Sequence, residues 1–179
     1  TFYFASLFFP NYIKKDIRTL YEFCRYIDDI GDDQKRSSKS SKFKLEKIKN
    51  DLRILKSQNV IVSNLLSICS KYNINTSIPI YLIDGVLSDL KIVNFKSNNE
   101  LIKYSFKVAG TVGLMMCAIM NVKDKKLKLK AIQLGIAMQI TNISRDVNED
   151  LNRGRIYFPK QLLSKKIKDF KEIPKKKKI

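Results

Sequence analysis

Two short segments of this chain place polar and charged side chains at helical spacing in otherwise apolar surroundings. The first stripe consists of Tyr21, Arg25, Asp28 and Asp32, and the second consists of Gln139, Asn142, Asp146 and Asp150. At about 100° per residue, each set falls within an arc of roughly 60 to 80° on its helix. On such an arc a helix of a globular protein usually carries its core-facing apolar residues. Because a buried carboxylate without a partner is costly, the two stripes predict shared divalent cations.

The residue types restrict which cation this is. The sequence contains no His, which removes the usual general base, the usual triad member and a common zinc ligand. Its cysteines, Cys24, Cys69 and Cys117, are far apart and odd in number, so they indicate neither a disulfide framework nor a thiolate metal site. We therefore expect a reducing compartment and an oxygen-bound ion, Mg²⁺ first and Mn²⁺ second.

The first stripe has two interpretations. Asp28 and Asp32 are one turn apart and could bracket a divalent cation, while Arg25 could contact a phosphate oxygen. Alternatively, the segment is an acidic helix end that leads into a glycine-containing loop. This alternative explains Asp32 and Asp33, but it leaves an Arg and an Asp on the same face as Tyr21 without a reason.

The second stripe favours a metal site more strongly. Asn142, Asp146 and Asp150 recur every four residues and form an oxygen-rich face beside Arg145. The alternative is a surface helix of mixed charge. The uncharged run at 131–144 argues against it, because that run predicts a helix that is buried before it reaches the acids.

The elements that must position these residues are predicted to be helices. With 6 Gly and 4 Pro in 179 residues, long stretches are free of helix breakers. We predict an all-α fold with helices at 14–30, 41–57, 60–72, 80–90, 98–121 and 124–148, and a shorter one after Pro159. Residues 1–163 are expected to form one domain and residues 164–179 a Lys-rich tail. The absence of a starting Met and the Lys-rich end suggest a fragment.

The net charge of +18 has two main sources, the segments 160–179 and 35–49. Lys far outnumbers Arg, and the sequence has neither a basic patch interleaved with aromatic residues nor a recognisable nucleic-acid module. We therefore expect a solvated Lys-rich surface and no nucleic-acid partner. Such a surface would still attract anionic lipid headgroups or diphosphate-bearing substrates.

No segment is predicted to span a membrane. The longest uncharged runs, 108–122 and 131–144, are shorter than the roughly 20 residues that a span needs, and they predict buried helices. Residues 1–10 are apolar but lack the positively charged start of a signal peptide. We expect a cytoplasmic protein, with peripheral contact to the inner membrane as a further expectation.

Taken in order, four motifs resemble the squalene and phytoene synthase family. They are Tyr-x-Phe-Cys-Arg-x-x-Asp-Asp-x-x-Asp at 21–32, Val-Ala-Gly-Thr-Val-Gly at 108–113, Gln-x-x-Asn-x-x-Arg-Asp-x-x-x-Asp at 139–150 and Gly-Arg-x-Tyr-x-Pro at 154–159. Residues 84–90 also resemble a family segment between the aspartate motifs. The resemblance is collinear from residue 1 to about residue 163, and the Lys-rich tail lies outside it.

The resemblance implies an isoprenoid synthase-type helical bundle around a central cavity, with its C-terminal part missing. Members of the family join two allylic diphosphates head to head through a cyclopropylcarbinyl diphosphate. By resemblance, Mg²⁺ is held by Asp28, Asp32, Asn142, Asp146 and Asp150. Catalytic roles fall to Tyr21, Arg25, Arg145 and Tyr157. Substrate contacts are implied for Arg25, Val108, Gly110, Gly113, Gln139, Asn142, Arg145 and Arg155.

The glycines have a second reading, since small residues also occur where helices pack closely. We expect Gly110 and Gly113 to leave room for isoprenoid tails and Gly135 to serve helix contact. The wording of the motifs is closer to bacterial phytoene synthases and hopanoid-pathway relatives. Substrate chain length and product, oligomeric state and the activity of the truncated chain stay open, and NADPH is expected only for a squalene-type product.

Two alternatives remain at this point. A head-to-tail prenyl diphosphate synthase also uses two aspartate-rich helices, and the first motif would fit it, but the second motif would not. A non-catalytic assembly factor on the same fold would be expected to lose metal ligands. None of the five predicted ligands is lost here.

Overall fold

The fold was examined in a computed structural model that describes residues 9–33, 37–91 and 93–159. The described part is almost entirely helical, which confirms the all-α prediction. The predicted helix after Pro159 and the Lys-rich tail at 164–179 lie outside the described residues, so the predicted domain division is not tested.

Eight α-helices follow one another along the described chain. They are α1 (Asn11–Asp32), α2 (Ser38–Arg53), α3 (Val60–Lys71), α4 (Ser77–Asp89), α5 (Asn98–Ser105), α6 (Thr111–Ile119), α7 (Lys125–Arg145) and α8 (Val147–Asn152). A π-helical turn at Phe106–Gly110 joins α5 to α6, so the predicted helix at 98–121 is one rod with a wider turn in its middle. Short polar side chains accept hydrogen bonds from the first turns of four helices, and these N-caps are Ser37, Asn59, Ser97 and Asp124.

The main core lies between α1, α2, α3, α4 and α6. Helix α1 contributes a full apolar stripe at three- and four-residue spacing: Ile13, Ile17, Leu20, Phe23, Ile27 and Ile30. The polar stripe predicted on this helix therefore does not replace its core face, which corrects the sequence interpretation. Each polar position follows a core position by one or two residues, so the polar stripe lies beside the core stripe at the edge of the bundle.

The rod from α5 to α6 packs between α4 and α7. Over Asn98–Ile119 it is long and apolar enough to cross a membrane by length and composition, although Lys103 and Lys107 interrupt it. This is weak evidence for a span, because an interior helix of a bundle passes the same test.

Two glycines allow α6 and α7 to approach closely. A Cβ on Gly113 would lie 2.6 Å from the Ala131 carbonyl oxygen, and a Cβ on Gly135 would lie 2.6 Å from the Ala109 carbonyl oxygen. Both glycines therefore have a packing role. We had expected this for Gly135 but not for Gly113.

Helix α7 is more exposed than its composition suggested. The run at 108–122 is mostly half-buried or buried, which meets the prediction only in part, and on α7 Leu134 is 62% exposed and Met138 is 59% exposed. In the described part of the chain, only Ile143 of α7 is fully buried. The prediction of a buried helix at 131–144 is wrong for the described part of the chain. Among those residues, α7 packs through one face on the α5–α6 rod, and its other face is exposed.

Candidate active site

The two predicted polar stripes line the same open cleft. Its volume is about 410 Å³, and its walls come from α1, α4, the α5–α6 rod, α7, α8 and the segment that follows α8. A second cavity of about 390 Å³ adjoins it and shares Gly31, Asp32, Asp89, Arg153 and Arg155. The expectation that the helices bearing Asp28 and Asp146 meet at one cavity is thus met by the geometry.

Most of the predicted site residues line this cleft: Arg25, Asp28, Asp32, Val108, Gln139, Asn142, Arg145, Asp146, Asp150, Arg155 and Tyr157. Tyr21, Gly110 and Gly113 do not. Tyr21 is 42% exposed on α1, and Gly110 lies against the Phe106 ring and Ile132. The catalytic role of Tyr21 and the substrate contacts of Gly110 and Gly113 stay predictions.

Helix α1 is held against α4 at its acidic end. Gly31 lies directly against Val86, so that any Cβ at this position would overlap the valine side chain. Buried Ile27 and Ile30 fix the rotation of the helix. Asp28 follows Ile27 by one position and Asp32 follows Ile30 by two positions. Both side chains therefore turn into the cleft.

The second acidic segment is not one continuous helix, contrary to the predicted helix at 124–148. Helix α7 ends at Arg145 and α8 starts at Val147, with Asp146 at the junction in a non-helical conformation. Hydrogen bonds from the Asp146 amide to the Asn142 carbonyl (2.9 Å) and from the Asp150 amide to the Asp146 carbonyl (2.9 Å) preserve the helical path. The three predicted ligands consequently stay on the cleft despite the break.

Arginines pair with the acids around the cleft. Arg145 donates two hydrogen bonds of 2.7 Å to Asp146, and this pairing lowers the pKa of the Asp146 carboxyl. Asp32 accepts from Arg153 at 3.3 Å and from Arg155 at 3.0 Å. Two predicted metal ligands are thus neutralised by guanidinium groups, which are also the natural partners of phosphate oxygens.

The Gly-Arg-x-Tyr-x-Pro motif has a clear local structure. Gly154 adopts a φ of +71°, which favours glycine, and the turn is closed by a 2.8 Å hydrogen bond from the Arg155 amide to the Asp150 carbonyl. A short backbone bridge between Asn94 and Ile156 fixes the segment to the chain before α5. The turn sends Arg155 toward Asp32 and buries the next aromatic residue of the motif, Tyr157.

Several residues of the cleft were not assigned a role from the sequence, among them Asp89 and Tyr104. The Tyr104 hydroxyl donates a 2.7 Å hydrogen bond to Asp89 and lies 3.4 Å from the Tyr157 hydroxyl. Asp89 belongs to the segment 84–90 that resembled the family, which was the one available signal. Tyr104 carried no signal of function in the sequence, because a tyrosine on an apolar helix is usually a core residue. Arg153, which also lines the cleft, was likewise missed.

Burial, together with neighbouring acids, raises the pKa values of three carboxyl groups in the cleft. Asp28 reaches solvent through the cleft mouth, yet surrounding protein atoms strip much of its hydration and Asp32 repels its charge, so its pKa rises to about 6. Burial raises the pKa of Asp89 to about 6, although the hydrogen bond from Tyr104, the nearby Tyr157 hydroxyl and the charge of Arg155 oppose the rise. Burial also raises the pKa of Asp150. This surplus of negative charge fits a divalent cation.

The ligand set is nevertheless incomplete without a further donor. In the described ranges, no three acidic side chains converge closely enough to hold a metal ion by themselves. The five predicted oxygen ligands fit Mg²⁺ chemically, because this ion keeps several waters and takes one or two carboxylates together with phosphate oxygens. The arrangement suits a metal that enters together with a diphosphate.

The fold and the cleft define a class of protein, the all-α bundles in which acidic segments of two helices face one cavity. A family model described as "Squalene/phytoene synthase" matches residues 1–172. The chain belongs to the squalene/phytoene synthase family.

Similar proteins agree with this assignment. The chain is 31% identical over 164 residues to a 15-cis-phytoene synthase of Paracoccus sp., covering 87% of this chain and 54% of that protein. It is 34% identical over 163 residues to a phytoene synthase of Thermus thermophilus, covering 91% of this chain and 56% of that protein. The chain therefore spans about half the length of the curated relatives it matches.

Solved structures show the same fold. A dehydrosqualene synthase in complex with a ligand is 30% identical with a TM-score of 0.77, over 91% of this chain and 57% of that chain. The squalene synthase HpnC from Alicyclobacillus acidocaldarius has a TM-score of 0.79 at 23% identity, over 91% of this chain and 62% of that chain. This second likeness concerns the fold alone.

Proposed function

We propose that the protein joins two prenyl diphosphates head to head, with release of diphosphate, to give phytoene or a squalene-type product through a cyclopropylcarbinyl diphosphate. The observation that carries this proposal is the convergence of both acidic segments and of four arginines on one cleft: Arg25, Arg145, Arg153 and Arg155. Geranylgeranyl diphosphate is the first substrate to test and farnesyl diphosphate the second, since several similar proteins are phytoene synthases.

The chain's own residues supply binding and shielding. Guanidinium groups donate paired hydrogen bonds to diphosphate oxygens and hold the leaving group against one wall. Asp28, Asp32, Asn142, Asp146 and Asp150 would hold Mg²⁺ or Mn²⁺, which when bound neutralises charge on the departing diphosphate. The apolar side chains on the cleft, Val86, Val108 and Ile143, exclude water from the allylic carbon that loses its diphosphate.

The arginine–aspartate pairs suggest an exchange of partners on binding. Asp32 and Asp146 accept hydrogen bonds from arginines in the ligand-free cleft. With substrate bound, the two carboxylates would be available to hold a cation, and the arginines would donate to phosphate oxygens instead. The number of opposite-charge contacts is then kept, so the cleft need not leave a charge unpaired at any stage.

Substitution of the acids tests this function. Asp28→Asn and Asp146→Asn should each abolish Mg²⁺-dependent diphosphate release from geranylgeranyl diphosphate by the full-length protein, while helix content measured by circular dichroism stays unchanged. Glu22→Gln, an exposed position of α1 away from the cleft, is the matched control and should keep its activity. Activity at the wild-type level in either aspartate variant would remove the basis of the proposal.

Neither alternative considered from the sequence gains support. No feature of the described residues favours a head-to-tail synthase or a non-catalytic assembly factor. Because NADPH is expected only for a squalene-type product, the turnover assay should be run with and without it.

We further propose that the protein works in the cytoplasm and contacts an anionic membrane surface reversibly. Phe43 is 73% exposed on α2. On a helical wheel its nearest basic neighbours are Lys39 and Lys47, a combination that suits an anionic lipid interface. Sedimentation with anionic vesicles should fall in high salt and in a Phe43→Ser variant. Binding that is absent at low salt, or equal with neutral vesicles, would refute this contact.

A further inference from the structure

Asp89 is the last residue of α4 and lies where the two cavities meet. One of its carboxylate oxygens, Oδ2, accepts the 2.7 Å hydrogen bond from the Tyr104 hydroxyl. The other oxygen, Oδ1, is buried and has no hydrogen-bond partner within the described ranges. This side chain is one of the few buried polar groups left partly unsatisfied.

Aromatic packing holds the donor in place. The Tyr104 and Tyr157 rings stack with centroids 5.0 Å apart, and Phe95 closes the cluster at 5.4 Å from Tyr104 and 5.8 Å from Tyr157. The Tyr104 side chain is therefore confined to a narrow range of positions. What remains adjustable is the direction of its hydroxyl hydrogen, which Asp89 sets.

Packing alone does not explain a carboxylate at this position. A half-satisfied buried carboxylate costs more than an amide or an apolar side chain of similar size, so stability would favour replacing it. The same burial also raises the pKa of Asp89, because it disfavours the charged carboxylate. Buried groups that cost stability tend to occur at functional sites.

Asp89 also contributes charge to the cleft. The Arg155 guanidinium is attracted to both Asp89 and Asp32, and it contacts Asp32 at 3.0 Å.

We propose that Asp89 is a positioning residue for the reaction proposed above. It orients the Tyr104 hydroxyl on the cleft wall through their 2.7 Å hydrogen bond. The inference rests on the proposed function, and it assigns to Asp89 no direct contact with the reacting atoms.

The test combines turnover with stability in the full-length protein. Asp89→Asn keeps the shape of the side chain but removes its charge, and it changes the hydrogen bond with the Tyr104 hydroxyl. We expect kcat to fall at least tenfold with KM changed less than threefold, while the melting temperature at pH 8 stays equal or rises. A purely structural role would lower the melting temperature and leave kcat per folded molecule unchanged, and that result would overturn the inference.

A double-variant cycle identifies the route of the effect. If Asp89 acts through Tyr104, then Asp89→Asn combined with Tyr104→Phe should have the kcat of Tyr104→Phe alone, within about twofold. Multiplicative losses would overturn this route. Should Asp89→Asn fail to fold, Tyr104→Phe alone decides, since a wild-type kcat in that variant refutes the inference. Turnover by the wild-type protein distinguishes the two proposals. If the wild type is inactive, the proposed function is refuted. If the wild type and Asp89→Asn are equally active, only the role of Asp89 is refuted.

Discussion

Replacement of Asp89 by Asn should change how stability depends on pH. In the fold, burial raises the Asp89 pKa to about 6, against an ordinary value of 3.8. At 1.36 kcal/mol per pKa unit, this difference corresponds to about 3 kcal/mol. The ionised carboxylate is the form that the fold disfavours. Its cost is therefore absent below pH about 4, grows through the interval up to about 6, and is fully present at pH 8.

Urea unfolding of wild type and Asp89→Asn across this interval, without Mg²⁺, measures the difference directly. The stability of the variant relative to wild type should rise by about 3 kcal/mol between pH 4 and pH 8, whatever constant offset the new amide adds. Glu22→Gln, on the exposed face of α1, is the matched control for replacing a carboxylate by an amide. A flat difference for Asp89→Asn, or one that falls as pH rises, would refute the assignment of a buried, destabilising carboxylate.

Three further predictions concern packing, charge and metal. Gly135→Ala should destabilise the protein by about 1–3 kcal/mol in urea unfolding, because its Cβ would lie 2.6 Å from a carbonyl oxygen of the crossing helix. The control, Ala137→Ser on the exposed side of α7, should be neutral. Equal effects of the two substitutions would contradict the close crossing of the helices. Arg155→Gln should raise KM about tenfold or more with little change in melting temperature, since it removes a charge-assisted donor; an unchanged KM would exclude it from diphosphate binding. In calorimetry, Mg²⁺ should bind weakly alone and much more tightly with inorganic pyrophosphate, and Asp146→Asn should abolish the gain; tight binding of Mg²⁺ alone would show a preformed site.

The sequence predicted the helices well because few Gly and Pro residues interrupt strong periodicity. It predicted the convergence of both polar stripes for a related reason, since helical spacing fixes which side chains share a face. It did not predict the break at Asp146. Helical backbone hydrogen bonds continue on both sides of the break, and neither Gly nor Pro marks it in the sequence.

Other features depended on contacts between distant segments. The open face of α7 has the composition of a buried helix, and composition does not specify what packs on it. Tyr104 and Asp89 are 15 residues apart and are joined by a single hydrogen bond. Gly113 looked like a place for substrate, but its position at a helix crossing became clear only from its distance to Ala131.

The central claim is that the cleft performs head-to-head condensation, and product identification tests it most directly. The full-length protein should be incubated with Mg²⁺ and geranylgeranyl diphosphate, and in parallel with farnesyl diphosphate, and the extracted hydrocarbon should be identified by mass. The account predicts a product that contains two prenyl chains and no diphosphate, and none when Mg²⁺ is chelated. Recovery of a longer prenyl diphosphate, or of unreacted substrate from the folded protein with Mg²⁺, would contradict it.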